Sequence, residues 1–314
     1  MALDVPSEHG PLTVTPENHA TRDHSRVALV TCDLFPDLWD DDHPLRDALR
    51  GRGLEVDAVR WDDPAADWAT YDLAVIRSPW DYVPRRDQFI AWAHSVPRLL
   101  NPAGVLEWNT DKRYLSRLAQ AGLPVTPTGF VAPGQAWTPP TTGEWVVKPT
   151  VSAGSQDTGR YRLPAQRELA EAHVARLTAA GRTAMVQPYL TAVDDLGETA
   201  LIYLPDATGA LTFSHAIRKG PMLTGPDEGT IDPGSEQIDP RTPSAAERRT
   251  ADRVLGHIPG GAERLLYARV DLIPGPDGEP LLVELELAEP SLFLREGETA
   301  GATHRLAEAI TSRL

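Results

Sequence analysis

The chain has 314 residues, 41 % hydrophobic and 24 % charged, ordinary for a globular protein and enough for two or three subdomains with cores of their own. A formal net charge of −15 argues against nucleic acid as a partner, since phosphate backbones demand clustered positive charge, and no run approaches the roughly 18 apolar residues of a membrane span. The single cysteine, Cys32, excludes an internal disulfide and a cysteine-based zinc site, so the cytosol is the expected compartment.

Residues 1–25 lack the basic start and apolar middle of a signal peptide and are expected to form a mobile tail. "RVALVTCDLFP" (26–36) reads as a β-branched strand running into a polar loop, with Cys32 a small buried residue after the strand. "HPLRDALRGRGLEVDAVRW" (43–61) reads as an amphipathic helix, a stop at Gly51 and Gly53, and a second strand. "YDLAVIRSPWDY" (71–82) supplies a third strand over Leu73–Arg77, and "RRDQFIAWAHSV" another helix. This β-α-β rhythm predicts a small parallel α/β domain over residues 26–105. Ligands meet such sheets at strand C-termini, which makes Arg77, Ser78 and Asp81 candidates; "RSPWDY" equally suits a turn around a buried Trp80.

"NTDKRYLSRLAQAGLPVTPT" (109–128) predicts a helix capped by Thr110 or Asp111 and ended by Gly122, then an extended stretch held by Pro124 and Pro127. "EWVVKPTVSAGSQDTGRYRL" (144–163) predicts a strand carrying Lys148, a loop of small residues and a further strand. A helix over 165–180 and a strand "TAMVQPYL" follow, and "ETALIYL" and "LTFSHAIRK" bracket "PDATGA" as a hairpin. A loop rich in Pro, Gly and Asp covers 220–242, and a helix 244–257. "LLYARVDLIPGPDGEPLLVELEL" (265–287) reads as two strands joined by the turn "PGPDGEP", and a helix ends the chain. The nine histidines show no metal-ligand spacing, and no serine or cysteine nucleophile has a triad around it.

Of 30 basic residues only three are lysines: Lys112, Lys148 and Lys219. An ammonium is a compact point charge and a guanidinium a wide planar fork, so these are positions where arginine substitutes poorly, unless three lysines survive by chance. Lys148 precedes Ser152, Ala153, Gly154 and Ser155, whose small side chains would let backbone N–H groups approach a polyphosphate. The Gly-Lys-Ser/Thr of a P-loop is absent.

"LLVELELAEPS" (281–291) puts Glu284 and Glu286 on one face of a strand, with Glu289 beyond them. A half-exposed strand would leave them solvated. Antiparallel pairing with "ARVDL" instead brings Asp271 close to both. Three converging carboxylates repel unless a cation lies among them, and hard oxygens suit Mg²⁺ shared with substrate phosphates.

The order of these pieces resembles the ATP-grasp superfamily, which includes glutathione synthetase, D-alanine–D-alanine ligase and the ribosomal-protein glutamate ligases. The resemblance covers residues 26–310. It runs from a lysine before a helix, through a strand lysine with a small-residue loop, "VQPYL" and an Arg-Lys pair, to an Asp and a Glu on paired strands. It implies an N-terminal parallel α/β domain, a central lid subdomain over 106–188 and a C-terminal subdomain over 189–314, with the nucleotide clasped between them. Carried over by position, Lys112 and Lys148 would contact ATP phosphates, and Ser152, Ala153, Gly154 and Ser155 would cover them. Gln187, Pro188, Tyr189 and Leu190 would form the adenine hinge, with Pro188 lacking an N–H, so that Tyr189 or Leu190 must donate. Asp194 or Glu198 would take the ribose. Arg218, with Lys148, would stabilise the phosphoryl group in flight, and Asp271, Glu284 and Glu286 would hold Mg²⁺. Glu286 stands where the family has Asn, which leaves its direct ligation open.

The implied activity is an ATP-dependent carboxylate–amine ligase. A substrate carboxylate takes the γ-phosphoryl group, and an amine captures the acylphosphate to give an amide, ADP and phosphate. Arg77, Ser78, Arg269 and Ser291 are the candidate substrate contacts. The "VKP…SAG" and "ELELxEPS" style is similar to ligases of antibiotic and other natural-product pathways, D-cycloserine synthetase among them, in which one small amino-acid derivative supplies both carboxylate and amine. The expected partners are small molecules, with a homodimer as a candidate assembly. A non-catalytic nucleotide binder on the same fold is the alternative. A Rossmann oxidoreductase is disfavoured because "TCDLFPD" stands where its G-x-G-x-x-G belongs.

Overall fold

A computed structural model describes residues 24–227 and 236–314. The expected tail therefore lies outside the described residues up to position 23, as does part of the 220–242 loop.

Three sheets organise the chain. The first is parallel, in the order β2-β1-β3-β4, from β1 (Arg26–Thr31), β2 (Glu55–Arg60), β3 (Leu73–Ile76) and β4 (Leu99–Leu100). Its crossover helices are α1 (His43–Arg50), with Pro44 in its first turn, and α2 (Arg86–Ser95). Cys32 is fully buried just after β1.

Between this sheet and the next, α3 (Ala103–Asn109) and α4 (Tyr114–Gln120) replace the single helix expected from 109 onward. Thr110 does not cap a helix start: its hydroxyl donates to the Leu106 carbonyl at 2.8 Å and closes α3. Asp111 accepts from the Arg113 N–H at 3.1 Å, two residues on, in a local turn. The second sheet is antiparallel, β5-β8-β6-β7, from β5 (Gly129–Val131), β6 (Gly143–Pro149), β7 (Gly159–Leu163) and β8 (Ala184–Pro188). With α5 (Arg167–Ala179) it forms its own small core around Val147, Tyr161, Val174 and Leu177.

After a short helix, α6 (Ala192–Leu196), comes the five-stranded sheet β11-β10-β9-β12-β13. Its strands are β9 (Glu198–Pro205), β10 (Leu211–Lys219), β11 (Ile238–Pro240), β12 (Ala268–Pro274) and β13 (Pro280–Glu286). Helix α7 (Ala245–Leu255) starts on a capping box in which Ser244 and Glu247 satisfy each other's backbone N–H groups. Helix α8 (Ala302–Thr311) ends the chain.

One face of this sheet divides along its length. Toward Ile202 and Leu204 it is apolar and shares a core with α8, α1 and β1, while the opposite face of the first sheet packs with α2 in a core of its own. At its other end the same face carries charge. Asp271 pairs with Ala200 on one side and Glu284 on the other, Arg269 pairs with Glu286, and Glu198 with Lys219. Direct cross-strand partners share a face, so six ionic side chains project together.

Candidate active site

A cavity of about 580 Å³ opens between the three sheets, over that ionic patch. Its walls include Lys112, Lys148, the 152–156 loop, the 187–190 segment, Glu198, Lys219, Arg269, Asp271, Glu284, Glu286, Glu289 and Ser291.

The lysines differ in what they touch. Lys112 is buried, and its Nζ lies 2.9 Å from a Glu284 carboxylate oxygen and 2.9 Å from the Ser152 carbonyl. Burial opposes its charge, but Glu284 outweighs this and raises the ammonium above its ordinary value. Lys219 is buried against Asp271 at 2.8 Å and contacts Glu198; burial again opposes, and the two carboxylates raise it. Lys148 has neither a hydrogen bond nor an ion pair among the described residues. Burial lowers it, and Lys112 and Lys219 add to the effect against Glu284 and Glu198. An unpaired ammonium in a concave site is a receptor for an anion. The loop beside it turns through left-handed backbone at Gly154 (φ 59°) and Ser155 (φ 56°). Glycine takes that conformation without strain.

The carboxylate floor is ionically matched. Arg269 grips Asp271 through Nε (2.9 Å to Oδ1) and an Nη (2.9 Å to Oδ2), and it also contacts Glu286. Burial would raise Asp271, yet Arg269 and Lys219 hold it well below the usual carboxylate range. Burial pushes Glu198 up to about 7, against the pull of Lys219, and Glu286 up to about 8, against that of Arg269. Among the described residues no three ligating side chains are grouped closely enough to hold a metal ion as they stand. Cations occupy the intervals: Lys112 on Glu284, Lys219 and Arg269 on Asp271, Arg269 on Glu286. The expected convergence of Asp271 and Glu284 is present as a direct cross-strand pair.

The hinge narrows to one donor. The Tyr189 N–H is consumed by the Glu144 carbonyl at 2.8 Å, which leaves Leu190 as the backbone N–H beyond Pro188. The Gln187 side chain donates to Thr128 at 2.9 Å. Glu198 lies on the cavity wall, whereas Asp194 turns outward, accepting from the Tyr189 hydroxyl at 2.5 Å and pairing with Arg160.

Like Asp194, three more expected contacts do not reach the cavity. Arg218 pairs across the sheet with Thr199, on the face opposite Glu198 and Lys219. Its guanidinium donates to the Leu196 carbonyl at 2.8 Å and the Asp195 carbonyl at 3.0 Å. It crosses Gly197, where a Cβ would come within 2.7 Å of its Nε. Strand parity therefore gives the cavity position to Lys219. Arg77 is 1 % exposed; its Nε donates to Asp42 at 2.7 Å and an Nη to the Pro290 carbonyl at 3.2 Å. Ser78 is fully buried, hydrogen-bonded to Thr31 at 3.0 Å and to the Trp39 N–H at 3.3 Å. Both support cavity walls from behind. Arg269 and Ser291 are on the wall as expected, joined by an Arg269 N–H to the Ser291 carbonyl at 3.1 Å.

Sequence reasoning passed over the cluster of Phe35, Trp39 and Trp80, all on the cavity wall, with ring centroids 5.2–5.6 Å apart. It also left Glu289 and Tyr82 without a role. The one available signal was the placement of "DLFPDLW" and "SPWDY" after strand ends.

Residues 27–101 match the family model for the N-terminal domain of D-cycloserine synthetase DcsG. The cycloserine biosynthesis protein DcsG of Streptomyces lavendulae is 38 % identical over 307 residues, covering 92 % of this chain and 98 % of that protein. The crystal structure of D-cycloserine synthetase DcsG superposes with a TM-score of 0.78 at 35 % identity, over 92 % of this chain and 99 % of that one. An ATP-grasp RimK domain protein from Sphaerobacter thermophilus shares the fold, with a TM-score of 0.60 at 17 % identity over 91 % and 99 % of the two chains. This chain belongs to the D-cycloserine synthetase family of ATP-grasp ligases.

Proposed function

We propose that the chain uses MgATP to activate the carboxylate of one small amino-acid-like molecule and closes it onto an amine of the same molecule. The observation that carries this reading is Lys148: an unpaired ammonium beneath a small-residue loop, facing a floor on which Glu198, Asp271, Glu284 and Glu286 already hold cations of their own. The substrate carboxylate oxygen bonds to the γ-phosphorus of ATP as the bond to ADP breaks. The amine nitrogen then bonds to the acyl carbon, loses a proton, and phosphate leaves with the acyl oxygen's bonding pair. Lys148 and Lys112 hold phosphate oxygens, and Lys219 takes the charge-stabilising position expected of Arg218. Asp271, Glu284 and Glu286 would supply hard oxygens to Mg²⁺, which when bound would neutralise phosphate charge. The Leu190 N–H and the Pro188 carbonyl would meet the adenine edge.

The test is a screen of small amino acids and their aminooxy derivatives, singly and in pairs, for ADP release coupled to a product lighter by one water. Single-substrate turnover supports ring closure. Strict dependence on two substrates replaces it with intermolecular ligation. ATP binding with no ADP release in any combination overturns catalysis.

A further inference from the structure

The cavity floor holds five carboxylates: Glu198, Asp271, Glu284, Glu286 and Glu289. Four of them have a lysine or arginine within ion-pair distance. Glu289 has none among the described residues. Its surroundings are of a particular kind. The indoles of Trp39 and Trp80 and the ring of Phe35 pack edge to face on the same wall, with the Tyr82 phenol beside the carboxyl.

The segment bearing Glu289 is rigidly held. Six consecutive carbonyls each accept a side-chain hydrogen bond. Tyr267 donates to Ala288 at 3.0 Å, Trp80 to Glu289 at 2.9 Å, Arg77 to Pro290 at 3.2 Å and Arg269 to Ser291 at 3.1 Å. His215 Nε2 bonds the Leu292 carbonyl at 2.9 Å and the Phe293 carbonyl at 3.1 Å. Asp41 accepts from the following two N–H groups, those of Leu294 and Arg295. A loop pinned at every residue presents its side chains at fixed positions, as a recognition surface requires.

We propose that Glu289, with the aromatic wall of Phe35, Trp39 and Trp80, forms the subsite for the α-ammonium group of the amino-acid substrate. A buried carboxylate without a counter-charge is costly, and an arriving ammonium removes that cost while gaining attraction from the ring faces. Burial raises the Glu289 carboxyl to about 7, with the Tyr82 hydroxyl pulling the other way. Over the floor, Lys148 and Glu289 would then be the two groups without an ion-pair partner among the described residues, one for phosphate and one for substrate. This inference rests on the ligase reading above.

The experiment measures binding and ADP release for 2-amino-3-(aminooxy)propanoate, both enantiomers, against its des-amino analogue 3-(aminooxy)propanoate. It uses the wild type, Glu289→Gln and Glu289→Asp. The wild type is expected to favour the better amino enantiomer by roughly 10–100-fold, the range for a charge-assisted contact. That preference should fall to within about threefold in Glu289→Gln and be partly kept in Glu289→Asp, with affinity for a non-hydrolysable ATP analogue unchanged in both. Equal discrimination in wild type and Glu289→Gln overturns the subsite. So does a Glu289→Gln defect confined to Mg²⁺ or nucleotide affinity, which would make Glu289 part of the metal site. Wild type that binds the ATP analogue but neither probe overturns the ligase reading, and the subsite with it.

Discussion

The Nζ of Lys112 lies 2.9 Å from Glu284, joining the turn before α4 to the middle of β13. The same ammonium holds the Ser152 carbonyl. One buried cation thus ties the carboxylate floor to the loop that covers the cavity. The site is a connected ionic lattice in which Lys148 is the lysine left open.

Replacing Lys148 by alanine should weaken ATP binding by roughly 10–100-fold, the cost of losing one charge-assisted contact to phosphate. Isothermal calorimetry against MgATP measures it, and unchanged affinity would remove Lys148 from the nucleotide site.

Glu284→Gln keeps the shape and one oxygen acceptor for Lys112 but removes the charge. Turnover should fall by at least about 100-fold, while the fold persists by circular dichroism. Normal turnover with Mg²⁺ would return "VELEL" to the status of a solvated strand.

The two adjacent basic residues of β10 should separate sharply. Arg218→Ala removes contacts to two carbonyls on the outer face and should change kcat by less than about threefold, with a stability loss of about 1 kcal/mol. Lys219→Ala removes the cation of Glu198 and one of the two on Asp271 and should lower kcat/KM by more than about 100-fold. Steady-state kinetics of the two variants, side by side, decides which face serves the chemistry.

Arg77→Leu leaves Asp42 as a buried charge without its partner. The expected destabilisation is about 3–5 kcal/mol, read from urea unfolding midpoints. Recovery of most of that loss in the Arg77→Leu/Asp42→Leu double variant would identify the pair as structural.

Glu289 should make the unliganded protein's stability depend on pH. Its carboxyl rises from 4.5 to about 7 through burial, with Glu284 adding to the rise and Tyr82, Lys112 and Arg269 opposing it. A folded-state value above the unfolded one means the folded protein binds the extra proton. The contribution is complete below about pH 4.5 and is lost as pH climbs through 7. The melting temperature of the wild type minus that of Glu289→Gln should therefore fall between pH 5 and pH 8. A flat difference would show that Glu289 titrates normally.

The sequence by itself determined most of the strands and helices, since their periods and turn residues are local signals read within a few positions of one another. It also brought Asp271 close to Glu284, because the short "PGPDGEP" turn closes their hairpin, but only a bulge between Asp271 and Leu272 makes the two direct partners. Where the lysines were scarce, their positions led to the cavity; all three lie on its wall. Tertiary structure decided the rest. Arg218 and Lys219 are neighbours in the chain, and only the bulged register of β10 against β9 settles which one faces inward. Arg77 and Ser78 stand at a strand end that suits a ligand, yet Asp42, Thr31 and the Pro290 carbonyl claim them first. The match of each floor carboxylate to its cation, and the exception of Glu289, arise from groups as far apart in sequence as Lys112 and Glu284. Such pairings depend on how sheets stack, and no local pattern encodes that stacking.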